Sequence, residues 1–123
     1  MDQKLISAKN FLKNRPGIFA NLAKAVGELN ALGVLDSNDI WALIRDLLEE
    51  ITPKDYRGTR PPQLSYEKTV IGHELFAFRW WSHKCNEHMY IKFALKNERF
   101  FYVSLHQHRF EEEKGEAHEV SKL

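Results

Sequence analysis

Tyr90 and Lys92 stand two residues apart, and beyond a short turn Tyr102, Ser104, His106 and His108 repeat that spacing. Side chains two apart on a β-strand share a face, so each set lines one side of its strand. Arg79 joins them from an earlier run, where it sits between Phe78 and Trp80. A face of cations, phenols and imidazoles suits a phosphodiester: cations neutralise phosphate, rings stack on bases, and an imidazole moves a proton. RNA brings its own nucleophile, the 2′-hydroxyl, so such a site needs no metal and no other cofactor. The plainer reading is a polar surface kept polar by water, which on pattern alone is the commoner case. The pair His106 and His108 weighs against it, since two exposed histidines on one strand face bring no structural advantage.

The elements that must hold these residues follow from the alternate positions. Phe76, Phe78 and Trp80, then Met89, Ile91, Phe93 and Leu95, then Phe101, Val103 and Leu105 are the apolar partners of the polar set. The alternation predicts strands over Glu74–Trp81, His88–Lys96 and Arg99–His108, with a tight hairpin at Lys96–Glu98 and a looser turn at Ser82–Glu87. Thr69–Ile71 is a candidate short strand before them.

Upstream, the period changes to that of helices. A first helix is predicted over Asp2–Asn14, ended by Arg15-Pro16-Gly17. Phe19, Leu22, Ala23, Val26 and Leu29 mark a second amphipathic helix, closed by Gly33. Asp36–Asp39 supplies N-capping oxygens for a third, which runs to about Glu50 and buries Ile40, Leu43, Ile44, Leu47 and Leu48. Residues 52–68, with Gly58, Pro61 and Pro62, read as a long loop carrying Lys54, Arg57, Arg60 and Lys68 beside Tyr56 and Tyr66.

The expected fold is therefore α+β in one domain: helices from residues 1–50 packed on one face of a small twisted antiparallel sheet from 69–109. Residues 110–123 form a charged tail with five Glu against two Lys, a local charge of −3. The net charge of the chain is +1, which leaves about +4 on the first 109 residues. That permits nucleic-acid binding without demanding it. The 123 residues, 43% hydrophobic and 28% charged, suit an ordinary globular domain. No apolar run approaches the roughly 20 residues of a transmembrane helix, and the start at Met1–Lys4 lacks the pattern of a secretion signal. With Cys85 as its single cysteine, the expectation is a cytoplasmic protein without disulfide or membrane contact.

Other constellations carry less. His83, Cys85 and His88 match no zinc spacing, and no second cysteine completes one, so no metal is expected. Cys85 as a nucleophile would need a base and an orienting group that sequence adjacency does not supply. The six glycines are scattered and form no phosphate loop.

Tyr90-Ile91-Lys92, a turn, then Val103-Ser104-Leu105-His106 resembles the C-terminal strand pair of MqsR-type toxins, bacterial toxin–antitoxin ribonucleases related to the RelE group. Leu32-Gly33, the helix with Ile40-Trp41-Ala42-Leu43-Ile44, and Ile51–Tyr56 are similar to that family's helix and its exit, and Leu75–Phe78 sits where the family has its first long strand. The likeness covers about Asn30 to His108. It implies a microbial-ribonuclease-like fold, metal-independent mRNA cleavage alone or on the ribosome, and a cognate antitoxin as partner. The positions implied for the site are Tyr90, Lys92 and His106, with Arg57 after the loop tyrosine. Arg79 adds charge to the catalytic set, and Arg60, Tyr102 and His108 join Arg57 as RNA contacts. Ala77 stands where the family places a polar or acidic side chain. Proton transfer then falls to His106 or His108 alone, or else the chain binds RNA, or a protein, without rapid cleavage.

Overall fold

The computed structural model describes residues 1–34, 36–59 and 61–108. Among these lie three helices, α1 (Asp2–Asn14), α2 (Leu22–Ala31) and α3 (Ser37–Glu50), and four strands, β1 (Ile18–Phe19), β2 (Phe76–Ser82), β3 (Glu87–Lys96) and β4 (Arg99–Gln107). The strands form one sheet in the order β1-β4-β3-β2. β2, β3 and β4 are antiparallel neighbours, while β1 runs parallel to β4. The α+β class is as expected. The sheet is mixed rather than purely antiparallel, because two residues carry no period by which β1 could be read.

Local chemistry fixes the helix ends. α1 stops before Arg15, which is extended ahead of Pro16. Asn21 caps α2 by accepting from the Lys24 N–H at 3.1 Å. Its C-terminus closes as a Schellman motif, with Gly33 at φ +77°, Gly33 N–H on the Asn30 carbonyl and Val34 N–H on that of Leu29. Asp36 caps α3 through the Asn38 N–H at 2.7 Å.

The face of the sheet toward the helices is the main core, where Phe78, Ile91, Phe93 and Leu105 meet Leu12, Ile40, Ile44 and Leu47. α2 is rotated from the expected phase: it buries Ala25 and Leu29, while Leu22 and Val26 are 62% and 49% exposed. The rotation brings Glu28 against β4, where buried hydroxyl groups need an acceptor. Gly17 admits β1 beside α3, since a Cβ there would lie 2.5 Å from the Trp41 ring.

β4 departs from simple alternation. Phe100 and Tyr102 pair with Leu95 and Phe93 on the core side, then the register shifts so that Lys92 faces Ser104, Ile91 faces Leu105 and Tyr90 faces His106. Val103 is the extra residue of this β-bulge. The expected apolar set Phe101, Val103 and Leu105 is thus split. Leu105 enters the main core, whereas Phe101 and Val103 point to the opposite face.

On that opposite face, Phe101, Val103 and Ala94 pack with Ala20, Val70 and Leu75 in a second, smaller cluster. The segment 63–75 provides the cover by folding back on itself through Ser65 N–H to His73 O and Leu75 N–H to Gln63 O. Residues 68–70 form a 3-10 turn in place of the short strand expected at Thr69–Ile71, which drives Val70 into the cluster. One half of the non-helical face is therefore covered. The other half holds the polar residues.

Candidate functional site

The uncovered half of the sheet is a grid of registered rows. Arg79, Tyr90 and His106 form one row across β2, β3 and β4. Ala77, Lys92 and Ser104 form the row above it, in which Ala77 and Ser104 are buried. Below it Trp81 pairs with His88, and the His108 N–H donates to the His88 carbonyl at 2.8 Å, extending the β4 ladder by one step. Of the expected site residues, Arg79, Tyr90, Lys92, His106 and His108 are brought together here. The bulge makes this possible. Without the extra residue Val103, the parity that buries Tyr102 would turn His106 toward the helices.

The contacts within the grid are close. The Tyr90 and His106 rings stack with centroids 5.0 Å apart and 19° between planes. Lys92 Nζ lies 5.8 Å from the Tyr90 centroid, within cation–π range. His106 Nδ1 is 2.7 Å from the Gln107 carbonyl oxygen. A carbonyl only accepts, so the neutral ring carries its proton on Nδ1, and Nε2 is the nitrogen that can take one. Arg79 Nη1 is 3.4 Å from His108 Nε2, a long contact in which the guanidinium must be the donor.

An open cleft of about 340 Å³ continues from the lowest row, lined by Asp55, Arg57, Arg79, Trp81, His88 and His108. Arg57 reaches it from the loop, which pairs with the outer edge of β2 through Tyr56 opposite Phe78 and Arg57 N–H on the Ala77 carbonyl. Its Nη1 also donates to the carbonyls of Lys54 and Tyr56, at 3.0 and 2.9 Å. Asp55 is fixed by accepting from the Thr52 N–H and hydroxyl, at 2.9 and 3.2 Å. Trp81, His88 and Asp55 were not among the expected site residues. Trp81 could have been found, since it is two residues from Arg79 and so shares its face.

Two expectations change. Tyr102 is not a nucleic-acid contact: it is 1% exposed, on the core side of the bulge, and its hydroxyl donates to Glu28 Oε1 at 2.6 Å. Burial, and then the Glu28 carboxylate, push its phenol well above the ordinary value of 10.0. Ser104 is likewise buried, and donates to Glu28 Oε2 at 2.6 Å. Arg60 lies outside the described residues.

The turn below the grid is held by one carboxylate. Glu50, at the end of α3, accepts from Ser82 Oγ at 2.7 Å, Trp80 Nε1 at 3.0 Å and the Lys84 N–H at 3.0 Å. Burial alone would raise this carboxyl, but the hydrogen bonds outweigh it and hold the group below its ordinary 4.5. Cys85 is half-buried in the same turn, its N–H donating to Ser82 Oγ at 3.0 Å. Among the described residues, no three His, Cys, Asp or Glu side chains converge as metal ligands, and no helix is long and apolar enough to cross a membrane.

Comparison with known protein families, with curated proteins and with solved structures gave no match.

Proposed function

We propose that this chain is a toxin-type endoribonuclease that binds mRNA across the uncovered half of its sheet and cleaves it by attack of the 2′-hydroxyl on the adjacent phosphorus. The observation that carries this reading is the registered row Arg79–Tyr90–His106, with Lys92 on the neighbouring row. His106 Nε2 takes the 2′-proton. The O2′–P bond forms as the P–O5′ bond breaks, leaving a 2′,3′-cyclic phosphate, and the departing 5′-oxygen takes a proton from water. Lys92 and Arg79 neutralise the phosphorane, Tyr90 orients the phosphate or stacks on a base, and Arg57 and His108 hold the strand. A cytoplasmic cognate antitoxin is the partner that the family likeness adds.

Ala77 favours a second reading. It pairs with Lys92 and places no proton-transfer group there, so the same face could hold RNA, or a protein, without cutting. The two readings separate on labelled mRNA incubated with the purified chain, with and without ribosomes. Cleavage to cyclic-phosphate ends, slowed about 10²–10⁴-fold in His106→Ala, supports the nuclease. RNA bound and left intact supports the second reading. RNA neither bound nor cut defeats both. In cells, expression should arrest bacterial growth, with His106→Ala and Lys92→Ala relieving the arrest.

A further inference from the structure

Trp81 is exposed where its neighbours in kind are not. Trp41 and Trp80 are each 5% exposed and belong to the core, whereas Trp81 is 45% exposed on the outer face of β2. It stands over a cleft lined by Asp55, Arg57, Arg79, His88 and His108, in which the two guanidinium groups outnumber the one carboxylate. His88 meets its indole edge-to-face, with centroids 5.0 Å apart and 78° between planes, which holds the ring in place. A large flat apolar ring left open to water beside guanidinium and imidazole groups is poorly matched to a hydrophobic partner. It is well matched to a nucleobase whose phosphate meets the cations.

Position supports the same occupant. Trp81 is two residues along β2 from Arg79, a step of about 7 Å, so it lies one row beyond the Arg79–Tyr90–His106 row. A strand whose phosphate sits on that row reaches the next row with its neighbouring base if the base is unstacked. We propose that Trp81, braced by His88, is a stacking platform for an unpaired base next to the phosphate held at Arg79 and Tyr90. This rests on the reading of the face as an RNA surface. It adds a requirement for single-stranded RNA, because a paired and stacked base offers no free face to the indole.

The test uses the full chain and a short single-stranded 2′-O-methyl oligoribonucleotide, which lacks the attacking hydroxyl and stays intact. Binding is followed by anisotropy of the labelled oligonucleotide and by tryptophan fluorescence. Binding should quench the fluorescence, and an RNA hairpin of the same length should bind more weakly. Trp81→Ala should weaken binding about 5- to 150-fold without changing its dependence on salt, since a stack removes no phosphate contact. Trp81→Phe should keep most of the affinity. Tyr66→Ala removes a ring that is 91% exposed and lies outside the cleft, and should change nothing. Trp81→Ala binding as tightly as the parent, or Trp81→Phe binding as weakly as Trp81→Ala, overturns the platform while leaving the RNA surface standing. A parent chain that binds no oligonucleotide overturns both.

Discussion

Glu28 is the side chain on which the grid depends without belonging to it. Its carboxylate accepts from Tyr102 Oη, Ser104 Oγ and the Leu105 N–H, at 2.6, 2.6 and 3.0 Å. These three donors span the bulge that turns His106 outward. Removing the acceptor leaves two buried hydroxyls and a backbone N–H unsatisfied, each worth about 1–3 kcal/mol when stranded, with partial relaxation reducing the sum. Glu28→Ala should therefore lower stability by about 2–4 kcal/mol, read as a fall in the urea midpoint, and Glu28→Gln by about half that. A loss within about 0.5 kcal/mol, the ordinary scatter of surface changes, would sink the idea of a brace. Glu28 was not legible in the sequence. Tyr102 and Ser104 share spacing with His106, so simple alternation assigns all three to one face, and only the bulge reveals that two of them are buried and need an acceptor.

At the scale of elements, periodicity was sufficient wherever one face of an element is dry. α1 and the three long strands were readable for that reason, within a residue or two at their ends. It failed where both faces are covered or the element is too short. The run Phe100–Val103 carries large side chains on both faces because the segment 63–75 covers its second face, and alternation alone does not say which half belongs to the core. The lock between α3 and the β2–β3 turn was also hidden, since Glu50 is one of two consecutive glutamates at a helix end. Its carboxyl is held below 4.5 in the folded chain. Ionisation of this group thus stabilises the fold fully above pH 4.5, and that contribution is lost as pH falls through the lowered value. Glu50→Gln should cost about 1–2 kcal/mol at pH 7, measured by urea unfolding. The gap between parent and variant should narrow as pH drops below 4.5. A gap that is constant from pH 7 to pH 3 would assign the loss to packing instead.

Across the whole molecule, the outer sides of the long strands β2 and β4 are paired at several of the described positions. β1 and Glu28 occupy the outer side of β4, and the loop residues Tyr56 and Arg57 occupy that of β2. Addition of a partner strand at those positions is thereby disfavoured, which leaves the open half of the face as the surface proposed for RNA. Its full cations are Arg57, Arg79 and Lys92. If RNA lies across them, each neutralised phosphate releases counterions, and the logarithm of affinity should fall with the logarithm of salt at a slope of about −2, from roughly −0.7 per contact on a single strand. Lys92→Ala should bring the slope to about −1.4, in contrast to Trp81→Ala, which should weaken binding at every salt concentration equally. Anisotropy titrations over a range of potassium chloride measure both. A parent slope near zero would mean that the cations serve solubility and that the face does not track a phosphate backbone. A slope several times steeper would mean that positive charge beyond this half-face joins the interface.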